Sequence, residues 1–367
     1  MKLFPCQCCG QALHFENTAC LRCGHHVGYL PEQERMLALV ADGGAWREAG
    51  LENGALWRFC RNWELSACNW LVPAGDGTGD APAFCPACRH NRTVPDLTDP
   101  VRHEQWQKIE RAKRRLFHAI HRLGLSCPAP GDSHPQPLVF DFLADNPGSK
   151  DRVMTGHADG VVTIALKEAD DAVRERTRVA MGEPYRTLLG HFRHEVGHYY
   201  WDLLVRDDDA ALEPFRALFG DERLDYAAAL DRHHHDGPPE GWQETHVSAY
   251  ATMHPWEDWA ESWAHYLHMV DTLETAASLG MRVEPAVDEE GELSAAVDFD
   301  PYRVRNPARL LSAWVPLTVA LNMLNRSMGT ADPYPFTLPD PVRRKLGFIH
   351  ALVRGDTVTR PAPSPAG

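Results

Sequence analysis

The 367-residue sequence contains no apolar segment of 18 residues, and no hydrophobic run follows Met1-Lys2-Leu3-Phe4-Pro5. The first absence argues against a membrane-spanning helix and the second against an export signal, so the expectation is a soluble, cytoplasmic protein with no membrane partner. Basic charge is in deficit: 37 lysines and arginines face 51 aspartates and glutamates, a net charge of −14. That balance argues against non-specific nucleic-acid binding, which depends on Lys and Arg neutralising phosphates. Beyond residue 88 the only cysteine is Cys127. The other nine crowd into the first 88 residues in paired spacings, and without an export signal this points to zinc rather than to disulfides. With 44% hydrophobic residues the chain can build one domain of about 200 residues and smaller units beside it.

Two knuckles open the chain, Cys6-Gln7-Cys8-Cys9-Gly10 and Cys20-Leu21-Arg22-Cys23-Gly24. Each C-x-x-C turn points two thiolates at one metal, and the following glycine accepts the backbone conformation that ends the turn. Cys6, Cys9, Cys20 and Cys23 therefore form a closed tetrahedral set, with Cys8 spare. Residues 1–30 are too few to bury a sufficient core, so the metal holds the unit. Residues 31–55, with Met36, Leu37, Leu39 and Val40 before the break Asp42-Gly43-Gly44, read as a connector. A second ribbon-like unit over 56–98 carries Cys60, Cys68, Cys85 and Cys88. Its second half is a good knuckle, whereas the seven residues between Cys60 and Cys68 depart from ribbon spacing. A second structural zinc is the expectation and free thiols are the alternative. The loop Pro73–Asp80 reads as a flexible tip.

A linking helix over 99–127 follows, opened by Asp99-Pro100, with Trp106, Ile109, Leu116, Phe117 and Ile120 on one side. Lys108, Arg111, Lys113, Arg114, Arg115 and Arg122 form the only basic cluster, expected to be a solvated outer face. Residues 138–143 and 161–166 read as strands, with a turn at 157–160. A strand near the centre described next could pair with an extended peptide by edge addition.

The informative stretch is Leu188–Tyr200, which contains His194-Glu195-Val196-Gly197-His198. Leu188, Phe192, Val196, Tyr199 and Leu203 recur at helical spacing, so the segment is a helix with a buried stripe. His194 and His198 then lie one turn apart on one side and can both reach one Zn²⁺ at roughly 2.0–2.1 Å. Glu195 falls beside the metal, where it can take a proton from a bound water. H-E-x-x-H alone is weak in a chain with 20 histidines. The helix around it and a second acidic helix downstream strengthen it. Gly190 and Gly197 leave bare backbone where another segment can come close. His233-His234-His235, at a helix end, reads as a solvated cap and not as a metal site.

Pro255 starts that second helix, placing Glu257 and Glu261 on one face one turn apart. A catalytic zinc takes three protein ligands and an open position, and His₂Glu is an established set. Glu257 is the candidate third ligand, a helix-capping role being the alternative. Glu261 is placed to accept the free ring N–H of a ligating histidine.

Taken together, Cys6–Pro31, the Cys60–Cys88 unit, Gly190–Tyr200 and Ser248–Asp271 resemble a bacterial family of zinc-binding metallopeptidases with an N-terminal zinc-ribbon domain. The run Glu257-Asp258-Trp259-Ala260-Glu261 is similar to the E-x-x-A-E helix of gluzincins of the anthrax lethal factor type. That resemblance implies that Glu257 binds zinc, that Glu261 supports a histidine, and that Tyr250 stabilises the oxyanion. It also implies an α+β fold, with zinc ribbons followed by a mostly helical gluzincin-like domain, over 135–355, that carries a small sheet. Two helices in 306–354 complete that domain, and 356–367 reads as a disordered tail.

Two functions compete at this point. The first is a zinc-dependent hydrolase of peptide or other amide bonds, with one catalytic and two structural zincs. Its substrate is a peptide or protein, and its ribbons recruit the substrate or a protein partner. The second is a zinc-ribbon adaptor with an inactive peptidase-like domain. The intact Glu195 favours the first, because an inactive site is free to lose its general base.

Overall fold

The computed structural model describes residues 2–75, 81–146, 148, 152–180, 183 and 185–356. Most of the expected flexible tip, 76–80, and nearly all of the expected tail, 357–367, lie outside the described residues. Contacts divide the chain into two units, Met1–Val173 and Arg174–Gly367. Among the described residues no helix is long and apolar enough to cross a membrane.

In the first unit both knuckles close as their glycines require. Gly10 and Gly24 take φ of 73° and 74°, and their N–H groups donate to the carbonyls of Cys6 and Cys20 at 2.8 and 2.9 Å. A side chain at either position would be strained. Strand β1 (Phe4–Pro5) pairs antiparallel with β2 (Ala12–Leu13). An antiparallel meander then follows chain order: β3 (His26–Leu30), β4 (Arg35–Asp42), β5 (Ala45–Glu48), β6 (Leu56–Phe59) and β7 (Leu71–Pro73).

This meander corrects the reading of 31–55 as a connector, since β4 and β5 are strands of the sheet that runs from the first cysteine set to the second. Met36, Leu37, Ala38 and Leu39 are all buried. A strand covered on both faces shows no polar alternation, which is why its sequence did not announce it. Leu30, Leu37, Leu39 and Leu71 form the core of one face, and Trp46, Trp57 and Phe59 pack against it.

After β8 (Asn91–Thr93) comes α1 (Pro100–Leu123). The Asp99 carboxylate accepts from the N–H groups of Val101 and Arg102, and Gly124, at φ 68°, ends the helix. This is the N-cap and C-cap chemistry its sequence carries. The basic cluster is not all on a solvated face, however. Lys113 and Arg114 are buried. Lys113 Nζ lies 2.9 Å from Glu110 Oε1, donates to Asn91 Oδ1, and sits over the rings of Phe140 and Phe142. Arg114 donates to the Ala67 carbonyl. A lysine can be buried when a carboxylate one turn away shares its charge.

The small sheet has the order β10 (Gly156–Ala158), β11 (Val161–Ala165), β9 (Val139–Leu143), β8. Strands β8, β9 and β11 are parallel, while β10 and β11 form a hairpin. Its turn is narrower than expected from sequence: Asp159 and Gly160, both at positive φ, make the two-residue connection, as Asp-Gly favours. Helix α2 (Asp171–Ala180) runs across the boundary between the units.

The second unit contains α3 (Leu188–Leu204), α4 (Asp209–Phe219), α5 (Tyr226–Asp236), α6 (Pro255–Ser278), the short pair β12 (Arg282–Val283) and β13 (Ala295–Ala296), α7 (Pro307–Ser327) and α8 (Asp340–Arg354). Helix α6 is its centre, with α3, α4, α7 and α8 packed on it. Its Trp259, Trp263, Leu267, Val270 and Leu273 are buried. His254 caps it: Nδ1 accepts from the Trp256 N–H at 3.1 Å, and Nε2 donates to the Leu224 carbonyl at 3.0 Å. Thr187 Oγ1 caps α3 through the Gly190 N–H at 3.0 Å.

Where α3 meets α6, Gly197 faces backbone. A Cβ there would stand 3.1 Å from Ala260 Cα and 3.2 Å from Trp263 Cβ. Trp259 Nε1 donates to the Gly197 carbonyl at 2.7 Å. Gly197→Ala should therefore push the helices apart and cost about 1–3 kcal/mol, as overpacking typically does. Urea unfolding followed by tryptophan fluorescence checks this, and an unchanged midpoint would mean that the helices part freely.

Candidate metal centres

Three clusters of metal-ligating side chains form among the described residues: Cys6, Cys9, Cys20 and Cys23; Cys60, Cys68, Cys85 and Cys88; and His194, His198 and Glu257. Within each, one donor atom per residue lies within 4.8 Å of every other. In the first cysteine set Cys6 Sγ is 3.7 Å from Cys23 Sγ, and Cys9 Sγ is 3.5 Å from Cys20 Sγ. The second set is fully buried, held by the Cys60 loop, the entrance to β7 and the turn before β8. There the N–H groups of Trp70 and Cys85 point at Cys68 Sγ and Cys60 Sγ, each at 3.4 Å. Burial pushes the Cys85 thiol well above its ordinary pKa, and its three cysteine neighbours push it further. Four buried sulfurs can ionise together only if a cation compensates them, so the donor set fits a tetrahedral zinc.

The third cluster is built by α3 and α6. His194 Nε2 lies 2.9 Å from Glu257 Oε2, and His198 Nε2 lies 3.5 Å from Glu257 Oε1. Behind His194, Nδ1 meets Glu261 Oε1 at 2.7 Å, and Ser248 Oγ donates to Glu261 Oε2 at 2.7 Å. Such a carboxylate fixes the ring's direction and leaves Nε2 as the free donor atom.

Burial opposes a charge on His194, yet Glu257 and Glu261 outweigh it and raise its pKa well above the ordinary value. Burial would likewise raise the pKa of Glu257, but His198 and His194 hold it well below the usual carboxylate range. The surrounding carboxylates thus favour a cation here, proton or metal, despite burial. Glu257 is also buried, with Oε2 facing His194 Nε2 at 2.9 Å. A buried carboxylate facing an imidazole nitrogen is stabilised by a cation, proton or metal, held between them. Two imidazoles and a carboxylate oxygen fit zinc.

Glu195 follows His194 on α3 and is nearly buried. Tyr250 lies in a short turn before α6, its ring centroid 6.0 Å from that of His194. Sequence reasoning missed Tyr226, the first residue of α5. Its hydroxyl donates to Glu257 Oε1 at 2.9 Å. Tyr226 is 31 residues from Glu257 and belongs to no local motif, so no sequence signal marked it. Serine 248 was passed over in the same way. His233 differs from its expected role as a solvated cap: its ring packs edge-on against Tyr250 at 5.9 Å, while His234 and His235 are exposed.

The fold and these clusters define a zinc-ribbon protein joined to a helical unit that carries an H-E-x-x-H site. Residues 102–352 match the family described as "Putative zinc-binding metallo-peptidase", and residues 3–99 match a zinc-ribbon domain. The chain belongs to that metallopeptidase family, with its N-terminal zinc ribbon. It is 42% identical over 353 residues to uncharacterized proteins of Mycobacterium bovis and Mycobacterium tuberculosis, covering 96% of this chain and 95% of theirs. No solved structure matches it.

Complete ligand sets predict three zinc ions per chain, two in cysteine sites and one at His194, His198 and Glu257. Elemental analysis of protein purified without chelator measures this. A His194→Ala/His198→Ala variant should hold two, and a wild-type value of one would remove the cysteine assignments. Glu257→Ala should lose more zinc affinity than Glu261→Ala, whose outer position predicts a loss of about 10–100-fold. Titration against a chromophoric chelator gives the order, and the reverse order would exchange their roles.

Proposed function

We propose that the chain is a zinc-dependent hydrolase of peptide or other amide bonds, with Glu195 as general base. The observation that carries this reading is the convergence of His194 and His198 of α3 with the buried Glu257 of α6, Glu195 being the residue after His194. Zinc held there supplies a Lewis acid that lowers the pKa of water and polarises a carbonyl oxygen.

The chain's own residues do the rest. Glu195 takes one proton from the attacking water as its oxygen bonds to the carbonyl carbon. It then delivers that proton to the amine nitrogen as the C–N bond breaks, leaving a carboxylic acid and an amine, and the acid's remaining proton passes to the amine or to solvent to give the carboxylate. Tyr250 donates a hydrogen bond to the oxyanion that forms in between. Glu261 holds His194 in the tautomer that presents Nε2, and Glu257 completes the ligand set. The zinc-ribbon sheet recruits the polypeptide substrate or a protein partner.

Glu195→Gln keeps the side chain's size and one oxygen but cannot accept a proton. Zinc content and thermal unfolding should match the wild type, while turnover falls by at least the roughly 10²–10⁴-fold typical of a lost general base. Mass-spectrometric comparison of new N-termini produced from an unfolded protein mixture by the two forms measures this. Equal cutting by both, or none by zinc-loaded wild type, would replace the hydrolase by the adaptor.

A further inference from the structure

Helix α5 reaches the metal cluster at two places on one face. Tyr226 at its first turn donates to Glu257 Oε1, and His233, two turns on, packs edge-on against Tyr250. The Asp225 carboxylate caps this helix through the Ala228 N–H at 3.0 Å. The Tyr226 ring is itself seated against His254, the cap of α6, with centroids 5.2 Å apart. The Tyr226 hydroxyl is therefore held from both helices and has little freedom to leave the carboxylate.

The two oxygens of Glu257 are treated differently. Oε1 accepts the Tyr226 proton, whereas Oε2 faces His194 Nε2 at 2.9 Å. A carboxylate free at both oxygens can bind a metal through one or both. One whose first oxygen is occupied by a hydroxyl presents the second alone. From this asymmetry we infer that Tyr226 is a positioning residue that makes Glu257 a one-oxygen ligand and keeps a coordination position open. The inference rests on the reading of His194, His198 and Glu257 as a metal centre, but not on any substrate.

The test compares wild type, Tyr226→Phe and Tyr250→Phe as full-length proteins. Phenylalanine keeps the ring packing against His254, so the fold should persist, as circular dichroism will verify. Zn²⁺ affinity is measured by competition with a chromophoric chelator. The visible spectrum of Co²⁺ is recorded as a difference against the His194→Ala/His198→Ala protein, which removes the contribution of the cysteine sites.

Tyr226→Phe should weaken Zn²⁺ binding by about 10-fold or more, the usual range for an outer partner of a ligand. Its Co²⁺ bands should lose intensity as Glu257 engages through both oxygens and the coordination number rises. Tyr250→Phe should leave both readouts near wild type. Wild-type affinity and spectrum in Tyr226→Phe would overturn the inference, as would equal effects of the two substitutions. No difference between wild type and the double histidine variant would overturn it together with the metal-centre reading. The expected metal results without any peptide hydrolysis would uphold the inference and remove only the hydrolase.

Discussion

The approach of α3 to α6 at Gly197 and Ala260 is the constraint on which the second unit depends. His198 is the next residue after Gly197, and Glu261 the next after Ala260. The separation of the helices at that point decides whether a glutamate on one can stand between two histidines on the other. Any side chain at 197 would meet backbone at 3.1 Å, and the Trp259 indole, bonded to the Gly197 carbonyl, fixes the sliding position. Two buried ion pairs fix rotation. Arg193, beside His194, is paired with Asp271 on α6, and Asp258, beside Glu257, is paired with Lys345 on α8. Burying such pairs adds little stability, since desolvation offsets their attraction. Here their placement has another consequence: each sits one residue from a member of the cluster, so turning either helix would break a buried charge pair before it displaced that side chain.

Much of this was legible in the sequence because the relevant signals are local. The knuckles declare themselves through two cysteines and a glycine within a few residues. The apolar stripe of α3 and the Pro255 start of α6 follow helical periodicity, and Glu257 and Glu261 are related by one turn of one helix. What was not legible is non-local or lacks a period. Strand β4 is buried on both faces and so has no alternation. Lys113 and Arg114 looked like surface charge because Asn91 and the Ala67 carbonyl become their neighbours only in three dimensions. Tyr226 and Ser248 reach the site from separate segments, and a lone tyrosine or serine in a helical region carries no mark of the carboxylate it will meet.

The cysteine sites and the histidine site stand in different relations to folding. In the first unit the sulfurs converge from loops between short strands, and Cys85 is buried among three other cysteines with its thiol pushed far up. Such a cluster gains its stability with the metal, because only the cation lets the thiolates exist together. In the second unit His194, His198 and Glu257 project from two long helices whose Phe192, Val196, Trp259 and Trp263 are buried on their own account. The geometry there is set by packing, so a metal bound at this cluster would enter a frame that apolar burial already holds.

That difference bears on chemistry. A site whose geometry is fixed by packing can keep one coordination position for water or substrate, since the protein does not need a fourth ligand to close the fold. The carboxylates around His194 are arranged for the same end. Glu261 takes its Nδ1 side, Glu257 faces its Nε2 side, and together they sustain positive charge in a buried setting. A cation placed there would be met by an imidazole already oriented and by a carboxylate oxygen that faces it. In the hydrolase proposed above, little would then have to rearrange when charge develops on a carbonyl oxygen, which is the condition under which fixed groups stabilise a transition state better than mobile water does.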